Sequence, residues 1–323
     1  METILIGHPL DHYDEFSDLL SRLSEKYTVI VKDYDYQWLK RNIVNVDILI
    51  PSLKVPVDEE ILNRAKQLRL IFTPSTGTDH IKISQEKKTI KLVSLHDFRD
   101  QIATISSTAE LGFALLLAVS RRITLAKQDV LQKGRWDRNN FVGSELQGKT
   151  LGIIGMGRLG QKIAGYAEAF GMTIQYWDHQ KTSRYKKINE LSELLSSSDY
   201  IILSITYNEK TYHLMNQGNV RLLKKGASII NISRGKIIDE DSVCSELQKG
   251  TLAGIGVDVL EFELEDFKTS PLYRYAKKHP EANIVITPHI GGATVDAWKK
   301  VFTLITDTLL QMNTELDSAE NKM

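Results

Sequence analysis

The sequence predicts an α/β protein built from two doubly wound parallel-sheet domains. Short β-branched runs alternate with helical patterns along most of the chain, which is typical of βαβ units. The alternation occurs twice, once before about residue 100 and again from Thr150 onwards, and each series has about five strands. A length of 323 residues also suits two domains, at roughly 100–200 residues each. We predict one domain from residues 1–100 with 294–323, and a second from residues 101–293.

Each predicted element rests on its residue pattern. The strands of the first series are Thr3–Ile6, Thr28–Val31, Asp47–Ile50, Leu70–Phe72 and Ile90–Val93, with helical patterns such as Tyr13–Ser24 and Glu59–Lys66 between them. The strands of the second series are Thr150–Ile154, Thr173–Trp177, Tyr200–Ile205, Ser228–Ile232, Leu252–Val257 and Ile284–Thr287. Residues Asp100 to Gln132, rich in Ala and Leu, predict one long or broken helix. Residues Val295 to Leu316 predict a closing helix that returns to the first domain.

Composition excludes several classes of function. Lys and Arg total 41, as do Asp and Glu, so the chain lacks the basic excess of a nucleic-acid or anionic-membrane binder. The single cysteine, Cys244, rules out an internal disulfide and a cysteine-based metal site. The longest uncharged apolar stretch, Leu111 to Val119, is far shorter than the roughly 20 residues that span a bilayer. We therefore expect a cytoplasmic protein with no membrane, nucleic-acid or metal partner.

A glycine-rich loop predicts a dinucleotide site. Gly155, Gly157 and Gly160 fit the G-x-G-x-x-G pattern between an apolar strand and a helical pattern. Their expected roles are a tight turn, close approach of a pyrophosphate, and close packing of helix on strand. Asp178 ends the next strand, 18 residues after Gly160, where an acidic side chain holds the ribose hydroxyls. This carboxylate favours NAD over NADP, although nearby Arg184 leaves NADP open.

Three further residues could carry the chemistry. Arg234, Glu263 and His289 each follow a predicted strand of the second series, where open α/β sheets bind their ligands. An arginine can hold a carboxylate and a carbonyl oxygen, a histidine can supply a proton, and a carboxylate can orient that histidine. Each also has a structural alternative as a strand-end charge, a solvated acid or a capping histidine. The turn TPHIGG distinguishes His289 from the other seven histidines.

The motifs GMGRLG, NISRG, GVDVLEFE and TPHIGGAT, in this order, resemble the D-isomer-specific 2-hydroxyacid dehydrogenase family. The resemblance covers nearly the whole chain, including STGTDHI and STAELGFALLLAVSRRI. It implies an NAD-dependent oxidoreductase that transfers a hydride between NAD(H) and a small 2-oxo or 2-hydroxy acid. It also implies a flavodoxin-like substrate domain, a Rossmann nucleotide domain, and homodimers that pair through the nucleotide domains and the long helix. We expect that interface on Asp100–Val119, which is too apolar for an exposed helix.

The resemblance also assigns residues. Arg234 would bind the substrate carboxylate and carbonyl, His289 would act as acid and base, and Glu263 would be the partner of His289. The backbone of Thr76 and Gly77 would hold the substrate carboxylate, and Asp258 would face the nicotinamide carboxamide. The residues implied at the cofactor are Gly155, Gly157, Arg158, Leu159, Gly160, Asp178, Thr206, Ile232, Asp258, His289 and Gly291.

Several positions depart from the family pattern and leave the substrate open. Ser75 stands where Gly is common, and Leu264 follows Glu263 where Pro is usual. Ser52 stands where Arg often suits phosphorylated substrates, and Lys54 could replace that charge or be solvated. The loop Gly7–Asp14 does not reveal which 2-oxo acid it accepts.

Two other functions are considered. A non-catalytic, NAD-sensing regulator of the same fold is the main alternative, since the family includes co-repressors that keep the site. An L-type lactate or malate dehydrogenase would carry its glycine motif near the N-terminus, whereas here the motif starts at Gly155.

Overall fold

The computed structural model describes residues 1–84, 89–180 and 184–320, without the side chains of residues 313–320. The chain divides into two compact units, which we call the terminal unit (Met1–Ile105 with Val295–Met323) and the central unit (Ser106–Thr294). Each unit contains one parallel sheet, of five strands in the first and seven in the second. The predicted α/β class with two doubly wound sheets is confirmed.

The terminal unit has a sheet in the order β2-β1-β3-β4-β5, the flavodoxin-like arrangement. Its strands are β1 (Thr3–Ile6), β2 (Thr28–Val31), β3 (Ile48–Ile50), β4 (Leu70–Thr73) and β5 (Lys91–Ser94). Its first three helices are α1 (Ser17–Ser24), α2 (Tyr36–Asn42) and α3 (Glu59–Arg64). The strand order reverses between β1 and β3, so a crevice is expected at their carboxyl ends.

Side chains that alternate along β1 fill a core on each face of this sheet. Ile4 and Ile6 belong to a buried cluster with residues of α1 and of the last helix of the chain, while Leu5 belongs to a second cluster with residues of α2 and α3. Such burial on both faces is typical of parallel strands. Among the described helices, none is long and apolar enough to cross a bilayer.

The central unit has a sheet in the order β12-β11-β10-β9-β6-β7-β8. Its strands are β6 (Thr150–Ile154), β7 (Thr173–Trp177), β8 (Lys186–Lys187), β9 (Tyr200–Leu203), β10 (Ala227–Asn231), β11 (Leu252–Val257) and β12 (Ile284–Ile286). Its helices are α4 (Ser107–Ser120), α5 (Ile123–Lys133), α6 (Arg158–Ala169), α7 (Leu191–Ser197), α8 (Gln217–Val220), α9 (Glu240–Gln248) and α10 (Pro271–Lys278), and α11 (Val295–Glu320) follows in the terminal unit. The order reverses between β6 and β9, which places the nucleotide crevice there.

The long apolar segment after Asp100 forms two helices within the described chain. Arg122, with a left-handed φ of 53°, separates α4 from α5. Much of the first helix is buried within its own unit, because Phe113, Leu116 and Val119 lie in a cluster with residues of β6, β10 and α6. Much of the apolar composition of α4 therefore serves the core of its own unit, and the dimer interface expected on Asp100–Val119 stays a prediction.

Candidate active site

The glycine loop after β6 has a geometry that two of its glycines impose. Gly155 has a φ of +94°, and a Cβ there would lie 2.7 Å from the carbonyl oxygen of Ser204. A Cβ at Gly160 would lie 2.3 Å from the carbonyl oxygen of Gly155. Helix α6 and the end of β9 thus approach the loop too closely for any side chain at these two positions, as the motif predicts.

The start of α6 fits a pyrophosphate. Gly157 is the N-cap residue, no side chain caps the helix, and a Cβ at Gly157 would meet no atom within 4 Å. The space beside Gly157 is therefore open at the positive end of a 12-residue helix, where the N–H groups of a first turn can bind an anion. Arg158 begins α6 beside this space, and the side chain of Leu159 packs against the apolar cluster beneath the helix.

Asp178 lies where the ribose-binding acid is expected, at the end of β7. Its Oδ2 accepts the N–H of Met156 at 2.8 Å, and its Oδ1 accepts the N–H of Gln180 at 3.1 Å. The carboxylate therefore ties the glycine loop to β7 while remaining partly exposed. Arg184, the residue that left NADP open, pairs with Glu168 of α6. These contacts favour NAD.

Two predicted cofactor contacts lie after β9 and β10. Thr206 is exposed, and its carbonyl accepts the hydroxyl of Thr211 at 3.0 Å. Ile232 is buried against α4, since a Cβ at Gly112 would lie 2.9 Å from its Cδ1. Both residues follow the carboxyl ends of their strands, the edge at which open α/β sheets bind ligands, and their contact with the cofactor stays a prediction.

The structure brings Glu263 and His289 into direct contact. Nδ1 of His289 lies 2.8 Å from Oε1 of Glu263, and Oε2 of Glu263 accepts the N–H of Leu260 at 3.2 Å. Arg234 follows β10, and its Nη1 donates to the carbonyl of Ser233 at 2.9 Å. All three follow neighbouring strands of the sheet, as the sequence predicts.

The surroundings of His289 favour its protonated form. Partial burial opposes the charge on the ring, but the hydrogen bond and the Coulomb attraction of Glu263 outweigh burial. Arg234 is close enough to act against the charge and Asp258 to support it. The net result is a pKa of His289 above its ordinary value of 6.5. A cationic proton donor beside an arginine suits the reduction of an anionic carbonyl compound.

Asp258 fixes the loop that carries His289. Its Oδ1 accepts the hydroxyl of Thr287 at 2.6 Å and the N–H of Ile290 at 2.8 Å, while its Oδ2 accepts the N–H of Gly291 at 2.8 Å. Burial raises the pKa of Asp258, although these three hydrogen bonds oppose the rise. His289 itself has a left-handed φ of 54°, a conformation that persists only when its surroundings enforce it. The sequence did not reveal this anchoring role, because the carboxylate precedes the loop by some 30 residues.

Thr76 and Gly77 belong to the terminal unit, in the loop after β4. The hydroxyl of Ser75 donates to the carbonyl of Gly77 at 2.5 Å, and it lies 3.0 Å from the hydroxyl of Thr73. Ser75, which stands where glycine is usual, thus forms its hydrogen bonds within the loop that carries Thr76 and Gly77.

Comparisons with known proteins agree with this site. The sequence profile described as "D-isomer specific 2-hydroxyacid dehydrogenase, NAD binding domain" matches residues 113–291. A glyoxylate reductase of Pyrococcus horikoshii is 32% identical over 292 residues, which cover 86% of this chain and 83% of that protein. A hydroxypyruvate reductase of Thermotoga maritima is 33% identical over 297 residues, covering 91% and 94%.

A solved structure gives the same result for the fold. A D-lactate dehydrogenase of Aquifex aeolicus, in complex with NAD and lactic acid, aligns with a TM-score of 0.82 and 25% identity over 99% of this chain and 98% of that one. The predicted oxidoreductase class and the predicted cofactor NAD are thereby confirmed. This chain belongs to the D-isomer-specific 2-hydroxyacid dehydrogenase family and is an NAD-linked oxidoreductase of 2-hydroxy acids.

Proposed function

We propose that the chain reduces small, unphosphorylated 2-oxo acids, with glyoxylate and hydroxypyruvate as the preferred substrates. The observation that carries the proposal is the 2.8 Å contact of His289 with Glu263 in the crevice that Arg234 also borders. Relatives at 32% and 33% identity are glyoxylate and hydroxypyruvate reductases, which supports this choice of substrates.

The proposed roles follow from the chemistry of each group. When bound, NADH supplies the hydride that adds to the carbonyl carbon. Arg234 holds the substrate carboxylate and polarises the carbonyl, because its planar fork donates to two oxygens at once. His289 gives its proton to the carbonyl oxygen, so the product is a 2-hydroxy acid. Glu263 keeps the imidazolium oriented through Nδ1, which leaves Nε2 for the substrate.

The remaining contacts are assigned by the resemblance together with the local structure. The start of α6 and the glycine loop would bind the pyrophosphate, and Asp178 would bind the adenosine ribose. The backbone of Thr76 and Gly77 would bind the substrate carboxylate. The proposed NAD contacts thus belong to the central unit, and the proposed substrate contacts come from Thr76 and Gly77 of the terminal unit and from Arg234 and His289 of the central unit.

The terminal unit supports an unphosphorylated substrate. Ser52 is buried and uncharged, and the ammonium of Lys54 lies 3.6 Å from a carboxylate oxygen of Asp33. The lysine that could have replaced the missing arginine therefore already faces an anion. A phosphate group, with nearly two negative charges, would find a poor partner in this loop.

Steady-state oxidation of NADH tests the proposal. The panel contains glyoxylate, hydroxypyruvate, pyruvate, 3-phosphohydroxypyruvate, and branched and aromatic 2-oxo acids. We expect kcat/KM to be highest for glyoxylate or hydroxypyruvate and lowest for the phosphorylated compound. Binding of NADH without turnover of any compound would favour the NAD-sensing regulator instead, and a preference for the phosphorylated compound would overturn our interpretation of Lys54.

The chain is further proposed to form a homodimer, and the exposed segment that follows α4 is proposed to contribute to the interface. Apolar side chains of the segment 123–142 are exposed, above all Trp136 at 91%, Val142 at 75% and Leu131 at 71%. Large exposed apolar side chains close together in one segment are typical of an interface. Light scattering should give twice the mass of one chain, and Trp136→Asp should lower it towards a monomer. Unchanged mass in that variant would exclude this surface.

A cytoplasmic location is also proposed. The single cysteine, Cys244, is free and buried, and burial raises the pKa of its thiol to about 12. The chain needs no oxidising compartment to fold. Fractionation of the source cells, followed by activity assays with NADH, tests the location.

A further inference from the structure

A buried carboxylate lies between the two loops that carry Arg234 and Glu263. Glu240, the first residue of α9, is 3% exposed. Its Oε1 accepts the N–H of Glu261 at 3.0 Å, and its Oε2 accepts the N–H of Leu272 at 3.1 Å and the hydroxyl of Ser270. Every partner is a donor, so the carboxylate is satisfied without a cation.

Glu261 is held a second time, through its side chain. Its Oε1 lies 3.0 Å from Nε2 of His213, and both side chains are largely buried. The backbone N–H of His213 donates to the carbonyl of Lys236 at 2.9 Å. His213 therefore joins three loops, those that follow β9, β10 and β11.

The loop after β10 also packs directly on the loop after β11. A Cβ at Gly235 would lie 2.0 Å from the carbonyl carbon of Leu260, so only glycine fits there. Gly235 follows Arg234, and Leu260 precedes Glu261. A displacement of Glu261 would therefore move Arg234 as well as Glu263.

Glu263 lies between two points that Glu240 fixes. Glu240 bonds the loop at Glu261, two residues before Glu263, and again at Ser270 and Leu272, where α10 begins. The Glu263 side chain bonds only Leu260 and His289 among the described residues. Its position therefore depends on how firmly its neighbours are held.

We propose that Glu240 and His213 clamp Glu261, and that this clamp positions Glu263 against Nδ1 of His289. Glu240, Glu261 and His213 are thus positioning residues for the proton transfer. The inference rests on the proposed function, because it concerns how the proposed acid is kept charged.

Loss of the clamp has a defined chemical consequence. In Glu240→Gln the carboxamide nitrogen cannot accept a hydrogen bond, so at least one of the three donors loses its partner. Glu263 is then held less firmly and attracts the imidazolium less. The pKa of His289 should fall, since Arg234 and Asp258, the other charged groups that face it, stay in place.

The test compares three variants with the wild type. Glu240→Gln removes the main anchor of the clamp, and His213→Asn removes the side-chain anchor. Asparagine is chosen because His213 has a φ of 45°, which asparagine tolerates. Glu246→Gln is the matched control, because Glu246 is also a buried acid of α9 but pairs with Lys249, away from the clamp.

Two readouts are needed. One is the pH at which kcat/KM for the reduction falls, and the other is the pKa of His289 by NMR titration of the imidazole protons, assigned with His289→Gln. We expect both to shift down by about half a pH unit in Glu240→Gln, less than in Glu263→Gln, because the charge of Glu263 remains. We expect kcat to fall by roughly 10- to 100-fold, the effect of a small misplacement. His213→Asn should shift both in the same direction but less, and Glu246→Gln should shift neither.

The outcomes separate the clamp from simple stability. A variant that melts at a lower temperature but keeps the wild-type pKa of His289 and the wild-type kcat would show that Glu240 only braces the fold. If Glu240→Gln does not fold, an unshifted titration in His213→Asn overturns the clamp. The NMR titration needs no turnover, so it still tests the clamp if the chain reduces none of the 2-oxo acids and the proposed function fails.

Discussion

His289 and His8 each follow a parallel strand, one in each unit, yet their surroundings favour opposite charge states. His289 follows β12 and contacts Glu263, and its pKa is raised. His8 follows β1, its Nε2 lies 3.1 Å from the carbonyl of Pro51, and two aromatic rings of α11 pack edge-on against it. Burial lowers the pKa of His8 to about 4, although the bond to Pro51 opposes this.

The difference shows that the position after a strand does not by itself define a catalytic histidine. A carboxylate partner makes His289 a proton donor near neutral pH, whereas burial keeps His8 neutral. Nearby Tyr34 is also neutral, because burial raises the pKa of its hydroxyl to about 12. The edge of the central sheet thus holds a histidine that a carboxylate keeps charged, whereas the buried histidine and tyrosine at the edge of the terminal sheet are neutral.

The largest loss of activity is expected when the histidine of the central unit is replaced. His289→Ala should lower kcat by roughly 10²–10⁴-fold, the usual contribution of general acid catalysis. NADH binding, measured by fluorescence titration, should persist because the glycine loop lies elsewhere in the unit. His8→Ala is the matched control and should lower kcat far less. Near-normal kcat in His289→Ala would remove it from the acid role.

Arg234 should show the next largest effect. Arg234→Ala should raise KM and lower kcat together, because the side chain binds the carboxylate in the ground state and polarises the carbonyl in the transition state. The loss in kcat/KM should be about 10²–10³-fold, as for other oxyanion donors. Arg234→Lys keeps the charge without the planar fork and should recover only part of the loss. Full recovery would show that the fork is not used.

Asp178 tests the choice of cofactor. Asp178→Ser should improve kcat/KM for NADPH relative to NADH by about tenfold, equal to about 1.4 kcal/mol, because the 2′-phosphate no longer meets a carboxylate. Glu168→Gln is a useful second variant, since it releases Arg184 from its partner. A wild type that already prefers NADPH would contradict the assignment of Asp178.

Glu263→Gln tests why the two histidines differ in charge, and it removes one charge without changing the size of the side chain. The neutral amide removes the attraction that raises the pKa of His289 and leaves the burial that lowers it. The pH at which the reduction fails should therefore move down by about one unit. An unchanged profile would mean that Glu263 does not hold the charge on His289.

The fold was largely predictable from the sequence because two parallel sheets impose strong local patterns. The strands Thr3–Ile6, Thr150–Ile154 and Leu252–Val257 form where the buried apolar runs predict them. The two-residue strand β8 was not predicted, since Lys186 and Lys187 carry no apolar signal. The sequence predicted that α4 is not exposed, but it could not show that residues of the same unit bury much of the helix, because an apolar helix gives no sign of which partner buries it.

The sequence predicted which residues form the site, but it did not predict the hydrogen bonds that hold them in place. The order of the motifs indicated Arg234 and His289, and parallel strands bring their carboxyl ends to one edge. The anchors Asp258, Glu240 and His213 act through contacts between residues 20 to 50 positions apart, which no local pattern records. Glu261 could not be distinguished from Glu263 by spacing alone, since both are acids of the same EFE segment.

The most direct test measures kcat/KM against pH in both directions on the same enzyme. Reduction of the best 2-oxo acid needs protonated His289, and oxidation of the matching 2-hydroxy acid needs the neutral ring. Because the pKa of His289 is raised, reduction should persist above pH 6.5 and then fall, while oxidation rises through the same pKa. Two profiles that change in the same direction, or that show no change near a common pKa, would contradict the account.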